Sequence, residues 1–239
     1  MGETIDENGN PFGQNNDLSL TKSRHYVLGY DHSFGKSWYF KTEMYWQDLY
    51  EVPVISELEE LHWFSTININ EGYVRYPLVN MGTGTNYGVE LEVEKKMYNG
   101  GYFLANLALF DSKYVAYDGV ERNTRYSGRY SLNVLGGREW SVWNNNRQNL
   151  VGIGYKVSMA GNERQRGRRV ENLYTESLPT YFRLDIQFSI RTSKKSHTSE
   201  WRFDIQNLTN RQNTINSANG AYQEKTFGLL PVLSYKLEF

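Results

Sequence analysis

The amino-acid sequence predicts an all-β fold: an antiparallel transmembrane β-barrel segment of about nine strands. Three observations support this prediction. Apolar and polar residues alternate along many segments, the connections between these segments are alternately short and long, and the sequence closes on an aromatic strand. Alternation with period two gives a strand two faces in different surroundings. Short turns at one end and long loops at the other are typical of outer-membrane barrels.

The composition agrees with a barrel and excludes helical membrane spans. The mean hydropathy is −0.66, and no run of about 18 apolar residues occurs. Aromatic residues, which favour strands and membrane interfaces, make up 15% of the chain. A net charge of −1 argues against a nucleic-acid partner, and the absence of cysteine excludes disulfides and thiolate metal sites.

The first two predicted strands, 22–34 and 37–50, form a hairpin around Gly35. In the second strand, alternate residues from Trp38 to Trp46 share one face. Eight residues of a tilted strand separate the two tryptophans by roughly 20 Å along the membrane normal. We therefore expect them to mark the two interfaces of an apolar band.

The third and fourth predicted strands, 86–97 and 102–114, differ in clarity. The third has Glu90, Glu92 and Glu94 on one face, which requires water or cations there. Carboxylates suit Ca²⁺, but we expect these three to pair with Lys and Arg or to touch a plug. The facing of the fourth strand stays ambiguous, because apolar residues occupy both of its faces.

The remaining predicted strands are 128–139, 148–159, about 181–190, about 201–206 and 225–239. The seventh is the clearest, since apolar residues from 182 to 190 alternate with polar ones. A total of nine strands is odd, so the first and the last would run parallel. Single-chain bacterial barrels use even counts, and the nine strands are therefore not expected to close by themselves.

The connections suggest an orientation and a domain organisation. The short ones are near 35, 99–101, 141–147 and 191–196, and the long ones are 51–85, 115–127, 160–180 and 209–224. If the short turns are periplasmic, residues 1–21 form a polar part of an extracellular loop and residues 22–239 form the barrel segment. The sequence opens without a secretory signal, so we expect a C-terminal portion of a longer protein.

Five segments resemble, in order, the C-terminal barrel of TonB-dependent outer-membrane receptors. They are 26–30 (YVLGY), 87–93 (YGVELEV), 181–185 (YFRLD), 204–210 (DIQNLTN) and 228–239 (GLLPVLSYKLEF). The resemblance implies a 22-stranded barrel in a Gram-negative-type outer membrane. Such a barrel is plugged by an N-terminal domain and imports a scarce ligand with energy from an inner-membrane complex. The plug domain and the energy-coupling complex are expected outside this chain.

The ending of the chain carries a second expectation within this resemblance. Leu233, Tyr235, Leu237 and Phe239 share one face of the last strand. A soluble protein rarely needs an aromatic at its frayed terminus, whereas a closing barrel strand must span to it. We expect these four residues to be the signal that the barrel-assembly machinery recognises.

Two long loops supply the candidate ligand contacts. These candidates are Trp63, Phe64, Tyr73, Tyr76, Arg164 and Arg168. Aromatic faces stack on sugars or flat chelates, and arginine forks hold carboxylates or phosphates. Loop packing, exposure to solvent and contact with anionic lipopolysaccharide are the alternative interpretations of these residues.

The sequence offers no catalytic, metal or cofactor site. Its four histidines lack metal-ligand spacing, and no nucleophile motif occurs, so an enzyme is not expected. The glycine pairs at 82–84 and 100–101 are interpreted as turns rather than phosphate loops. The sequon that begins at Asn207 is interpreted as a strand end.

Two other classes of protein remain as alternatives. One is a passive porin-like or adhesin barrel, and the other is a soluble all-β module such as a sandwich or jelly roll. The soluble alternative requires the aromatic and aliphatic residues of the last strands to meet inside a two-layer core. Those residues are Phe182, Phe188, Trp201, Leu237 and Phe239.

Overall fold

The computed structural model describes residues 4–5, 11–12, 15, 17–69, 74, 76–144, 147–167, 169–216 and 223–239. Its strands are β1 (Thr4–Ile5), β2 (Pro11–Phe12), β3 (Lys22–Phe34), β4 (Trp38–Ile55), β5 (Leu78–Tyr98), β6 (Gly101–Val115), β7 (Glu121–Asn123), β8 (Tyr130–Asn144), β9 (Arg147–Ala160), β10 (Tyr181–Ser193), β11 (Thr198–Gln206), β12 (Thr214–Asn216), β13 (Gln223–Lys225) and β14 (Leu230–Glu238). Three short 3₁₀ helices lie in the loops, at Glu59–Leu61, Thr66–Asn68 and Val170–Asn172. In these ranges no helix is long and apolar enough to cross a membrane.

The long strands form one antiparallel sheet in the order β14-β11-β10-β9-β8-β6-β5-β4-β3. The short strand β7 adds to the sheet beside the loop end of β6, and β1–β2 and β12–β13 are separate pairs. Each long strand pairs with its neighbours along the chain, so the sheet is a simple meander. The predicted all-β antiparallel fold of nine strands is confirmed.

The second and third strands extend further than the sequence predicts. β4 and β5 keep pairing to Ile55 and Leu78, which shortens the loop predicted at 51–85. Two glycines make this possible: a Cβ at Gly82 would lie 2.5 Å from Val54 Cγ1, and one at Gly84 would lie 2.6 Å from Ile67 Cδ1. The interpretation of 82–84 as a turn was therefore wrong, because these glycines lie within β5 and permit close packing.

Two other boundaries also differ from the prediction. β8 extends to Asn144 and β9 begins at Arg147, so 141–144 and 147 of the predicted turn belong to strands, and 145–146 lie outside the described residues. The last strand begins at Leu230 rather than at 225, because Gln223–Lys225 pairs with Thr214–Asn216 in a small hairpin. Asn210 Oδ1 accepts a hydrogen bond from Leu229 N–H at 2.9 Å, which holds the chain just before the last strand.

The residues predicted to fill a soluble two-layer core are not buried together. Phe188, Trp201 and Leu237 are 44%, 52% and 41% exposed, and Phe239 is 97% exposed. The buried core lies instead at the loop end of the sheet, around Val54 and Tyr114. This arrangement contradicts the soluble alternative and leaves one face of the sheet open.

Candidate functional site

One face of the sheet is apolar from edge to edge. The register places the alternating apolar residues of neighbouring strands side by side, for example Met44 beside Val89 and Leu91 beside Leu107. This apolar face comprises Tyr26, Leu28, Tyr30, Trp38, Phe40, Met44, Trp46, Val89, Leu91, Val93, Phe103, Leu107, Leu109, Leu132, Val134, Tyr155, Val157, Phe182, Leu184, Ile186, Phe188, Ile190, Trp201, Phe203, Ile205, Leu233, Tyr235 and Leu237. Monomeric soluble proteins rarely expose a contiguous apolar patch of this extent.

The register also settles the strand whose facing the sequence left ambiguous. Leu107 and Leu109 of β6 lie beside Leu91 and Val89, on the apolar face. The opposite set, which includes Phe110, faces the other way beside Gly88. A Cβ at Gly88 would lie 2.9 Å from the Phe110 Cβ, so the glycine provides room for the phenylalanine ring.

Aromatic residues border the apolar face at both ends. Toward the short turns, Trp201 and Tyr235 lie with ring centroids 4.6 Å apart, and Trp38, on a strand farther along the sheet, is 36% exposed. Toward the loops, Trp46 stacks on Tyr87 with centroids 5.3 Å apart. Tyr and Trp prefer membrane–water interfaces, so this placement agrees with the predicted pair of interface tryptophans.

The opposite face of the sheet is polar and carries hydrogen bonds and ion pairs, both within strands and between them. Arg183 Nε donates to Asp185 Oδ1 at 2.7 Å, and Gln187 Nε2 donates to Asp204 Oδ1 at 2.8 Å. Toward the turns, Glu200 accepts from both Arg191 and Arg202, at 3.3 and 2.9 Å. Positively and negatively charged side chains are interspersed along β10 and β11 on this face, which suits a surface in contact with water.

The row of three carboxylates lies on this polar face, as the alternation predicts. Glu92 lies opposite Lys41 of β4, whose Nζ forms an ion pair with Glu43 at 2.8 Å. Within the described residues, Glu90, Glu92 and Glu94 form no ion pair of their own. Across the same ranges, no three His, Asp or Glu side chains are grouped so that they could hold a metal ion.

The long loops pack into a layer over the loop end of the sheet, which we call the loop layer (residues 56–69, 116–129, 161–167 and 169–180). Its apolar centre includes Val54, Trp63, Tyr114 and Leu173, which are 0–8% exposed. The Tyr114 and Tyr174 rings meet edge to face with centroids 6.2 Å apart. Because these residues come from two strands and two loops that are far apart in the sequence, the layer is a tertiary structure in its own right.

Arg164 links three parts of the loop layer. Its side chain is 3% exposed, and it donates from Nε to Ser127 O at 3.0 Å and from Nη1 to Tyr174 O and Thr175 O at 3.2 and 2.9 Å. Its backbone N–H donates to Arg125 O at 2.8 Å. Burial lowers the pKa of the Arg164 guanidinium, whose ordinary value is so high that the group remains charged.

A second arginine joins the same loops through a carboxylate. Arg125 Nε donates to Glu163 Oε2 at 2.9 Å, and the same oxygen accepts from Asn216 Nδ2 at 2.8 Å. The Arg125 backbone N–H donates to Asn68 Oδ1 at 2.8 Å. Sequence reasoning missed Arg125 and Glu163 as a pair, since 38 residues separate them.

An ion pair also closes the loop after β6. Arg122 donates from Nη1 and Nη2 to the two Asp118 oxygens at 2.9 and 2.7 Å. Burial alone would raise the pKa of Asp118, but hydrogen bonds from Arg122 and Val120 N–H, with the charges of Arg122 and His62, outweigh it and hold the pKa below its usual value. His62 packs against Tyr117 with ring centroids 4.7 Å apart.

The residues predicted to contact ligand differ in how far they are exposed. Trp63 is 8% exposed, with Nε1 donating to Glu60 O at 2.8 Å, and Phe64 packs against the same apolar centre. Tyr76 is 36% exposed, and Arg164 is the buried link described above. Tyr73 and Arg168 lie outside the described residues. The role of all six as ligand contacts stays a prediction.

One exposed cation was not selected from the sequence. Arg166 is exposed and stacks over the Trp63 ring, with its guanidinium carbon 4.8 Å from the centroid. The run of four arginines at 164–169 signals cations in this loop, but spacing does not reveal which one stacks and which is buried.

The sequon residue Asn207 ends β11, as its interpretation as a strand end predicts. It has a positive φ of 51° and is 3% exposed. Its Nδ2 donates to Arg211 O and Phe227 O at 2.9 and 3.0 Å. Asparagine tolerates this left-handed conformation better than most residues, which explains its position at the turn.

The two faces, the short turns and the loop layer define an antiparallel β-barrel segment. No family model and no curated protein matches the sequence, whereas 18 chains of solved structures match the fold. The ferric preacinetobactin receptor BauA from Acinetobacter baumannii aligns with a TM-score of 0.67 and 13% identity over 91% of this chain. The closed form of the ferric-catecholate import receptor Fiu from K12 E. coli aligns with a TM-score of 0.66 and 10% identity over 100% of it.

The chain spans 29% of the length of each of these two receptors. At this level of identity the likeness shows a shared fold. The barrel-segment fold that the resemblance implies is confirmed. Both neighbours are named as receptors, and neither is named as an enzyme.

Proposed function

We propose that this chain forms the C-terminal part of the barrel of an energy-coupled outer-membrane receptor, which imports a scarce siderophore, glycan, vitamin or peptide. The observation that carries the proposal is a single sheet with one apolar face, one polar face and a packed loop layer at one end. In the outer membrane of a Gram-negative-type cell, the apolar face meets lipid. The polar face meets water and the plug domain, which is supplied from outside this chain.

The open edges of the sheet support a larger barrel. In the described residues, β3 and β14 each pair on one side only, and they run parallel to each other. An unpaired edge strand exposes a row of backbone donors and acceptors, which a membrane barrel satisfies by closing. Further strands from the same protein would close it, up to the 22 that the resemblance implies.

The loop layer is the proposed place of ligand capture. Phe64 and Tyr76, with Tyr73 and Arg168, are proposed to contact ligand, and Arg166 is a further exposed cation above Trp63. Trp63 and Arg164 would then act by shaping the layer, since both are buried. Both named neighbours are receptors for ferric compounds, so a ferric siderophore is the first ligand to test.

An uptake experiment tests the transport function. Cells that express the protein carrying this chain should accumulate radiolabelled ferric siderophore, and cells lacking it should not. A protonophore should abolish uptake, because energy reaches an energy-coupled receptor from the inner-membrane complex. Uptake that continues in de-energised cells would favour the passive porin-like barrel, and binding to surfaces without uptake would favour the adhesin.

The membrane placement has its own test. The protein should require detergent or lipid to remain monodisperse, since its apolar face has no other cover in the described residues. A protein that stays monodisperse in plain buffer would contradict the proposal.

We further propose Leu233, Tyr235, Leu237 and Phe239 as the signal for the barrel-assembly machinery. Phe239 is 97% exposed and contacts little beside His197, so Phe239→Ala should leave the stability of the folded protein unchanged. The amount inserted in the outer membrane should fall severalfold, as measured by fractionation. The control is Phe227→Ala, which removes another phenylalanine that is 90% exposed. Equal insertion of both variants would contradict the proposed signal.

A further inference from the structure

The apolar face contains a groove of about 880 Å³ near the short turns. Trp38, Tyr98 and Phe103 line one side of it, and Ile153 and Tyr155 line the other. This volume lies in the range of small-molecule and cofactor sites, and the lining is mainly apolar and aromatic. Neither the transport proposal nor the loop layer uses this groove.

Two glycines create the groove. Phe103, Gly136 and Tyr155 lie side by side on three neighbouring strands, and the missing side chain at Gly136 lets the Tyr155 ring lean over it. A Cβ at Gly136 would lie 2.8 Å from Tyr155 Oη. Gly101 lies two residues closer to the short turn than Phe103, on the same face of the sheet. The atom nearest to a Cβ at this position would be Lys95 Nζ, at 3.8 Å. We call the space over Gly101, beside the Tyr155 ring, the glycine notch.

Two cations border the glycine notch. Lys95 Nζ lies 5.8 Å from the centroid of the Trp38 ring. Arg138 lies directly opposite Gly101 in the register, with its guanidinium carbon 5.7 Å from the centroid of the Trp140 ring. In the described part of the chain, neither cation forms an ion pair with a carboxylate.

A pair of cations on the apolar face, with no carboxylate partner in the described residues, offers a place for an anion from outside the chain. Lys and Arg are costly on the lipid side of a barrel at mid-depth and become tolerable near the interface, where the short turns lie. Aromatic rings hold both cations beside an apolar groove, so the surface presents positive charge and a hydrocarbon-like channel together. An anion with an attached acyl chain matches both features, whereas free phosphate matches only the charge.

We propose that the glycine notch binds an anionic phospholipid of the periplasmic leaflet. The phosphate lies between Lys95 and Arg138 over Gly101, with Tyr155 Oη within reach as a further donor, and an acyl chain follows Phe103 and Tyr155. A zwitterionic phospholipid fits less well, because its ammonium group would lie close to the two cations. The inference rests on the proposed function only in that the short turns must face the periplasm.

Native mass spectrometry of the full-length protein carrying this chain tests the charge requirement. Dioleoyl phosphatidylglycerol and dioleoyl phosphatidylethanolamine are titrated separately against the protein in detergent. The double variant Lys95→Gln, Arg138→Gln should weaken phosphatidylglycerol binding by about thirtyfold, given the usual contribution of a basic residue at an anionic lipid surface. The control variant Lys194→Gln, Lys195→Gln removes two exposed cations from another short turn and should bind like wild type.

A second variant separates shape from charge. Gly101→Leu keeps both cations and meets no atom closer than 3.8 Å at its Cβ, so the strand should still form. Its side chain would fill the glycine notch and should weaken phosphatidylglycerol binding at least tenfold. If Gly101→Leu and the double variant both bind phosphatidylglycerol like wild type, the site is elsewhere and the inference is wrong.

Two further results would overturn the inference in different ways. If the double variant loses lipopolysaccharide binding but binds phosphatidylglycerol like wild type, the groove lies in the outer leaflet and the inference is wrong. A protein that binds neither phospholipid and needs no detergent would instead contradict the proposed membrane function. The detergent requirement of wild type therefore distinguishes failure of the site from failure of the function.

Discussion

At the scale of single residues, the loop layer depends on buried charged side chains that hold distant segments together. Arg164 binds three backbone carbonyls from two loops, and Arg125 binds Glu163. A buried arginine can join several loop carbonyls at once because its planar guanidinium offers five donors. The exposed Arg166 is therefore better placed than the buried Arg164 to contact a ligand in this layer.

Replacement of Arg164 by methionine should loosen the loop layer. The change leaves the carbonyls of Ser127, Tyr174 and Thr175 without their donor, at a cost of about 1–3 kcal/mol for buried unsatisfied groups. Hydrogen exchange in residues 161–180 should accelerate, while the strands keep their protection. The matched control is Arg169→Met in the same loop, since the Arg169 side chain is 79% exposed. Similar exchange in both variants would contradict this role.

The ion pair between Asp118 and Arg122 should make the loop after β6 sensitive to acid. The pKa of Asp118 is lowered in the folded protein, so its stabilisation is present above the ordinary aspartate pKa of about 3.9 and is lost as the pH falls through the lower folded value. Asp118→Asn should therefore exchange faster than wild type in residues 116–129 at pH 6. The difference should shrink below about pH 4.

The control for the acid sensitivity is Glu171→Gln, which removes an exposed carboxylate from another loop. Its exchange in residues 116–129 should match wild type at every pH. A difference between Asp118→Asn and wild type that stays constant down to pH 2 would contradict the prediction.

At the scale of elements, glycines decide where strands continue and approach one another. β5 runs beyond the apolar face into the loop layer because Gly82 and Gly84 leave room for Val54 and Ile67. The same principle acts on the two faces of β8, where Gly136 accepts the Tyr155 ring and Gly137 accepts the Tyr102 ring. Each of these contacts joins residues from different strands, so the glycines are matched to partners that are distant in sequence.

Replacement of Gly82 by alanine should destabilise the extended hairpin of β4 and β5. Its Cβ would lie 2.5 Å from Val54 Cγ1 and 2.9 Å from the Val52 carbonyl oxygen, so backbone and side chains must shift, at a cost of about 1–3 kcal/mol. The measurement is urea unfolding in lipid vesicles. Gly29→Ala is the control, because its Cβ meets only the flexible Glu43 side chain at 3.4 Å. Equal stability of the two variants would contradict the packing argument.

At the scale of the whole molecule, the two faces of the sheet differ in polarity and suit different surroundings. Its buried core is confined to the loop end, so most of its apolar residues have no protein cover within the described residues. The apolar face gains stability only when lipid covers it, and the polar face only when water does. Stability measured in membranes should therefore depend on which face a substitution changes.

Neighbouring positions on β10 test the two faces directly. Ile186 lies on the apolar face near mid-strand, and Gln187 lies on the polar face beside Asp204. Ile186→Arg should cost about 2–4 kcal/mol in vesicles, as expected for arginine at the lipid midplane. Gln187→Arg should be nearly neutral, because the charge meets water and Asp204. Equal effects in urea titrations of the two variants would contradict the assignment of the faces.

The sequence by itself determines the alternation, and with it the faces of most strands. Along β4 and β10, period two separates apolar from polar residues without any knowledge of neighbours, because the geometry of a strand is local. The lengths of the connections can also be read from the sequence. The spacing of the predicted strands therefore shows which end of the sheet carries the short turns and which carries the long loops. The strand count and the polar position of Glu90, Glu92 and Glu94 were predicted on the same basis.

Only the tertiary structure decided what depends on neighbours. The facing of β6 follows from its register with β5, and the extension of β5 follows from glycines that meet Val54 and Ile67. The burial of Trp63 and Arg164 follows from contacts with segments that are distant in the sequence. The glycine notch likewise joins β5, β6, β8 and β9. Burial and proximity are set by contacts between distant segments, and the spacing of residues along one segment does not contain that information.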